Sequence, residues 1–99
     1  MNLVAREAFN DDLLRFLGAS PTPFHAVRAL AAMLEEGGFR ELREQDAWVC
    51  EAGGRYFVRR NGSALIAFVK GRAAAEDAGL RMAGAHTDSP RLRLHPRPE

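Results

Sequence analysis

An α/β fold class, with two helices followed by a β-hairpin and further strands, follows from three observations in these 99 residues. Large apolar side chains recur at helical spacing through the first third of the chain. Asn61-Gly62 then separates two strand-like runs, "RYFVRR" and "SALIAFV". The second run is nearly continuous in apolar character, the mark of a strand covered on both faces of an α/β sheet.

Each element can be justified in turn. Leu3, Val4, Phe9, Leu13, Leu14, Phe16 and Leu17 lie among charged residues and predict an amphipathic helix that ends at Gly18. In "SPTPFHAVRALAAMLEEGG", Thr22 is the expected N-cap and Pro23 the first helical residue, where its missing N–H costs nothing. Gly37 and Gly38 are the expected stop. "FREL" reads as a short extended piece, and Trp48 as an anchor for the segment after it.

Residues 55–70 read as a hairpin, because Asn and Gly both tolerate the positive φ that a tight type I′ turn needs. Gly53-Gly54 is a turn before it. "RAAAEDAG" is a loop or helical turn. "LRMAGAH" is expected to be a strand ending at the histidine, and "RLRLH" a last strand with one wet face. A strand covered on both faces needs more cover than two helices provide, so the sheet reads as unfinished and the chain as the opening portion of a larger fold.

Composition excludes several classes. With 46% hydrophobic and 27% charged residues, the chain is an ordinary globular protein of at most one domain. Its 14 basic and 13 acidic residues are spread evenly, which leaves no footprint for nucleic acid. The longest apolar run, Ala64 to Val69, is too short for a bilayer, and no secretory leader is evident. Cys50 is the single cysteine, which excludes an internal disulfide and fits a cytoplasmic protein; it reads as a small apolar filler.

The chemistry-bearing stretch is "GAHTDSPRLRL", where His86 and Asp88 stand two residues apart. On a strand that spacing puts both side chains on one face. A metal-bound histidine commonly donates its second ring N–H to a carboxylate, which orients the ring. Taken alone, His-x-Asp more often marks an ordinary strand-end histidine, bonded to backbone or exposed, than a metal ligand. His25, in the first turn of a helix, reads as a packing and capping residue, His95 as a surface residue, and Thr87 and Ser89 as turn chemistry before Pro90.

Three segments together are more specific. "ASPTPFHAV" (19–27), "YFVRRNGSALIAFVKG" (56–71) and "GAHTDSPRLRLHP" (84–96) resemble the aspartyl aminopeptidase family of two-zinc metallopeptidases, in order and in spacing. The resemblance covers essentially the whole chain. His95 departs from it, since relatives more often carry lysine there.

The resemblance implies that residues 1–99 are the N-terminal part of the family's α/β catalytic domain, ending near the start of its inserted second domain. It implies that His86 is a ligand to one zinc of a catalytic pair, with Asp88 beside it in the catalytic site. The implied reaction is removal of an N-terminal residue, preferably Asp or Glu, from a peptide by a water that the two metals activate. The remaining ligands and the glutamate base would come from later sequence. The complete protein would be a zinc-dependent aminopeptidase and a homo-oligomer, while these 99 residues by themselves would be inactive. The alternative is a non-enzymatic binding or assembly module that associates through an exposed sheet edge.

Overall fold

A computed structural model describes residues 2–90, 92 and 94–97. Its elements run α1 (Leu3–Gly18), α2 (Pro23–Glu36), β1 (Arg40–Leu42), β2 (Arg55–Arg60), β3 (Ala64–Val69) and α3 (Ala75–Ala78). The strands form one mixed sheet in the order β1-β2-β3, with β1 parallel and β3 antiparallel to β2. This is the α/β arrangement expected.

The signals read for α2 act as expected, and α1 has a cap that its sequence pattern did not announce. The Asn2 side chain caps α1 by accepting from the Ala5 N–H at 2.7 Å. Thr22 caps α2, Pro23 opens it, and Gly37 closes it before Gly38 turns the chain at φ 84°. α2 buries Ala26, Val27 and Ala31.

Alternation along β2 assigns its two faces. Arg55 donates to the Gly37 carbonyl at 2.9 Å, and Arg59 feels the charge of Glu35 in α2, so Phe57 between them also faces α2. Phe57 is wholly buried, at 0% exposure. On the opposite face Tyr56 packs its ring 5.6 Å from that of Phe68, and Trp48 stacks on Phe68 at 6.4 Å. Trp48 also donates its indole N–H to the Arg43 carbonyl at 2.8 Å. It ties the 43–54 loop to β3, but from an exposed position, 45% accessible, and not by burial in a core as expected.

The hairpin turn has positive φ at both Asn61 (54°) and Gly62 (69°), as its sequence requires. It holds one residue more than the tight turn expected. Arg60 pairs with Ala64, so Ser63 joins the loop, and its N–H donates to the Arg60 carbonyl at 3.3 Å. Gly53 and Gly54 extend the hairpin by exchanging backbone bonds with Lys70. A Cβ on Gly54 would sit 2.6 Å from Tyr56 ring carbons, so only glycine lets that ring lie flat across the backbone.

Three expectations need correction. β3 is not covered on both faces: Ile66 is 66% exposed and Val69 is exposed too. α2 covers one side of the sheet, and among the described residues no further layer lies over the other. "LRMAGAH" is not a strand; residues 80–86 are irregular, with Leu80 and Met82 exposed. Strand propensity becomes a strand only where a ladder forms, and residues 80–86 pair with neither outer edge of the sheet, that of β1 or that of β3. The predicted strand "RLRLH" includes Arg91 and Arg93, which lie outside the described residues; Leu92, Leu94 and His95 are irregular and exposed.

α1 contacts α2 alone among the elements and buries no residue fully. The accessible surface of 8774 Å² exceeds the ~5,600 Å² of a compact monomer of this mass. The chain thus buries about 45% of its unfolded surface, where a compact chain of this size buries somewhat over 60%. The radius of gyration, 16.8 Å, compares with about 12.6 Å for a compact domain of this length.

Candidate metal centre

His86 and Asp88 are brought together, though not by a strand face. The irregular segment folds so that His86 Nδ1 lies 2.6 Å from the Asp88 backbone carbonyl oxygen and 3.2 Å from its carboxylate Oδ1. Both neighbours are acceptors. Nδ1 must therefore carry the ring proton, and in the neutral imidazole that leaves the Nε2 lone pair free. A histidine that ligates a metal through Nε2 needs this tautomer. The side chains are 78% and 81% exposed, so Nε2 is accessible.

Among the described residues no group of three His, Cys, Asp or Glu side chains is placed to hold an ion. His25 is engaged elsewhere, at the start of α2. Its backbone N–H donates to Thr22 Oγ1 at 3.3 Å, and its Nδ1 lies 2.6 Å from the same oxygen. It is exposed, so it caps without packing into the core. His95 Nδ1 accepts from the Arg97 backbone N–H at 3.1 Å on the exposed surface, and Cys50 is half-buried and free.

One contact at the site escapes sequence reasoning. Thr87 Oγ1 donates to the Ser63 backbone carbonyl at 3.0 Å, across 24 positions, and so ties the "AHTDSP" segment to the hairpin turn. The turn in turn meets α2: a Cβ on Gly62 would lie 3.4 Å from the Phe24 ring. The three segments that carried the resemblance thus converge at one end of the hairpin. No local pattern announces a bond to a backbone carbonyl 24 residues away.

Two charged pairs lie elsewhere on the sheet. Arg59 forks onto Glu41, with its Nη2 2.9 Å from Oε1, and Arg60 forks onto Glu44 at 2.9 and 3.1 Å. Hydrogen bonding to Glu41 raises the pKa of Arg59, and hydrogen bonding to Glu44 raises that of Arg60. The Arg60 guanidinium holds the Glu44 carboxyl below the usual carboxylate range. These pairs clamp β1 and the segment after it to β2.

The structure thus sets a mixed sheet under a capped helix, with His86 and Asp88 in contact on an exposed segment beside the hairpin turn. Comparison with known proteins supplies the family. Residues 16–99 match the profile of the aminopeptidase I zinc metalloprotease family, M18, and the chain belongs to that family.

Among curated relatives, a probable M18 family aminopeptidase 2 of Pseudomonas paraeruginosa is 56% identical over 94 residues, which is 95% of this chain and 22% of the relative. Its Pseudomonas fluorescens counterpart is 54% identical over the same shares. The chain spans about a fifth of the length of these relatives. Among solved structures, one of an Ape4 and Nbr1 complex aligns at TM-score 0.60 and 48% identity, over 62% of this chain and 12% of that one. Chaetomium thermophilum mApe1 aligns at TM-score 0.59 and 40% identity, over 66% of this chain and 15% of that one. The mApe1 dodecamer of S. cerevisiae aligns at TM-score 0.58 and 31% identity, over 66% and 16%.

Proposed function

We propose that these residues are the N-terminal part of the catalytic domain of a metallo-aminopeptidase that removes N-terminal residues, preferably Asp or Glu, from peptides. The observation that carries the reading is the His86–Asp88 contact in an M18 chain, since it leaves Nε2 as a free, accessible ligand. His86 would hold one zinc of a pair, and Asp88 would keep its ring oriented and its Nδ1 protonated. Bound zinc supplies polarisation of the scissile carbonyl and acidification of a water at neutral pH. One histidine holds no catalytic pair, so these 99 residues alone are expected to turn over no peptide. Assembly into a homo-oligomer belongs to the same reading, supported by the dodecameric neighbour and by the exposed apolar side chains on α1 and β3.

The test is release of aspartate from Asp-terminated peptides by the longer enzyme, with Glu-, Leu- and Lys-terminated peptides for comparison. His86→Ala is expected to lower turnover by more than ~100-fold and zinc affinity by at least ~10-fold. Unchanged turnover and zinc content in that variant would refute the ligand role. Equal rates on all four peptides would refute the acidic preference.

A further inference from the structure

We propose that Thr87 is a positioning residue for His86, and that its hydroxyl bond to the Ser63 carbonyl sets where the histidine stands relative to the sheet. The proposal rests on the reading of His86 as a metal ligand. Residues 80–90 form neither helix nor strand, so no ladder or helical bond fixes their path. Among the described residues of that stretch, the Thr87 Oγ1 to Ser63 carbonyl bond, at 3.0 Å, is the hydrogen bond that reaches another part of the fold.

Burial through the segment alternates: His86 is exposed, Thr87 half-buried and Asp88 exposed. Drawing Thr87 inward turns both its neighbours outward on the same side, where Nδ1 meets the Asp88 oxygens. The anchor belongs to the paired hairpin. Ser63 closes the turn whose two positive-φ residues, Asn61 and Gly62, sit between paired strands, and Gly62 lies against Phe24 at the start of α2. A single hydroxyl thus transfers the order of the hairpin and of α2 to a segment that has none of its own.

The tether can be measured without metal. Backbone ¹⁵N relaxation on the 99-residue chain should give His86, Thr87 and Asp88 order parameters close to the ~0.85 of ordered backbone. In Thr87→Val, which keeps shape and loses the hydroxyl, they should fall toward ~0.6 or lower. Thr87→Ser, which keeps the hydroxyl, should restore them, while residues 55–69 stay ordered in all three chains as the control for folding. Unchanged order in Thr87→Val, or loosening in Thr87→Ser as well, would overturn the tether.

In the longer enzyme, chelator competition should show zinc held roughly 2- to 10-fold more weakly in Thr87→Val, the span that one net hydrogen bond commands, and near normal in Thr87→Ser. A loosened segment with unaltered zinc affinity would overturn the positioning role. Loss of the functional reading has a different signature, since His86→Ala would then leave zinc binding intact while the relaxation data still report the tether.

Discussion

Truncating Phe57 to alanine removes the one aromatic side chain, among the described residues, that is wholly enclosed, at 0% exposure, between α2 and the sheet. A buried Phe→Ala change costs about 3–5 kcal/mol, as lost transfer free energy plus a cavity that neighbours refill only in part. Refilling is limited here. The β2 backbone is pinned on one edge by β1 and on the other by β3, and Arg55 and Arg59 on either side of Phe57 are bound to the Gly37 carbonyl and to Glu41. The margin to absorb the loss is small.

Compact domains of about this length are stable by roughly 5 kcal/mol at the low end, and this chain buries only about 45% of its unfolded surface. Phe57→Ala should therefore remove most or all of its stability. Urea titration followed by far-UV ellipticity and by Trp48 fluorescence reports the helices and the opposite face of the sheet separately. The expected result is a joint loss of the folded baseline by both probes. Leu13→Ala on α1, where the side chain is 45% exposed, should cost under about 1 kcal/mol. Two transitions of equal midpoint for Phe57→Ala and the parent chain would refute the assignment of the core.

Two further outcomes follow from the same contacts. Gly62→Ala places a Cβ on a φ of 69° and 3.4 Å from the Phe24 ring, so it should cost about 1–2 kcal/mol and lower the melting midpoint by roughly 4–16 °C; an unchanged midpoint counts against the turn. Arg60→Gln should return the Glu44 carboxyl upward to the ordinary glutamate range in a side-chain NMR titration. Because the folded Glu44 value is depressed, the pair's contribution is present above the ordinary glutamate pKa and is lost as pH falls through the lower folded value. The stability difference between parent and variant should shrink as pH falls through the lowered folded value, and a difference that grows in acid would reverse the assignment.

Much of the local structure is legible because its causes are local. Thr22, Pro23 and Gly37 mark α2 by satisfying or terminating its own backbone groups, and Asn61-Gly62 marks the hairpin because few other pairs accept positive φ. His86 and Asp88 are legible as neighbours because two positions in sequence hold them within one hydrogen bond. The strand expected over "LRMAGAH" fails for the complementary reason: its apolar character is real, but pairing depends on an edge that no residue within the segment controls.

The sequence by itself determined the two long helices, the Thr22 cap of α2, the hairpin and the family, since each depends on residue types at short and set spacings. Only the tertiary structure decided that β1 joins β2 in parallel, that β3 leaves Ile66 and Val69 open, and that Thr87 bridges to Ser63 across 24 residues. Those depend on which distant groups remain unpaired once the chain has folded. Hydrogen bonding and burial settle that over the whole molecule, beyond the reach of any local pattern.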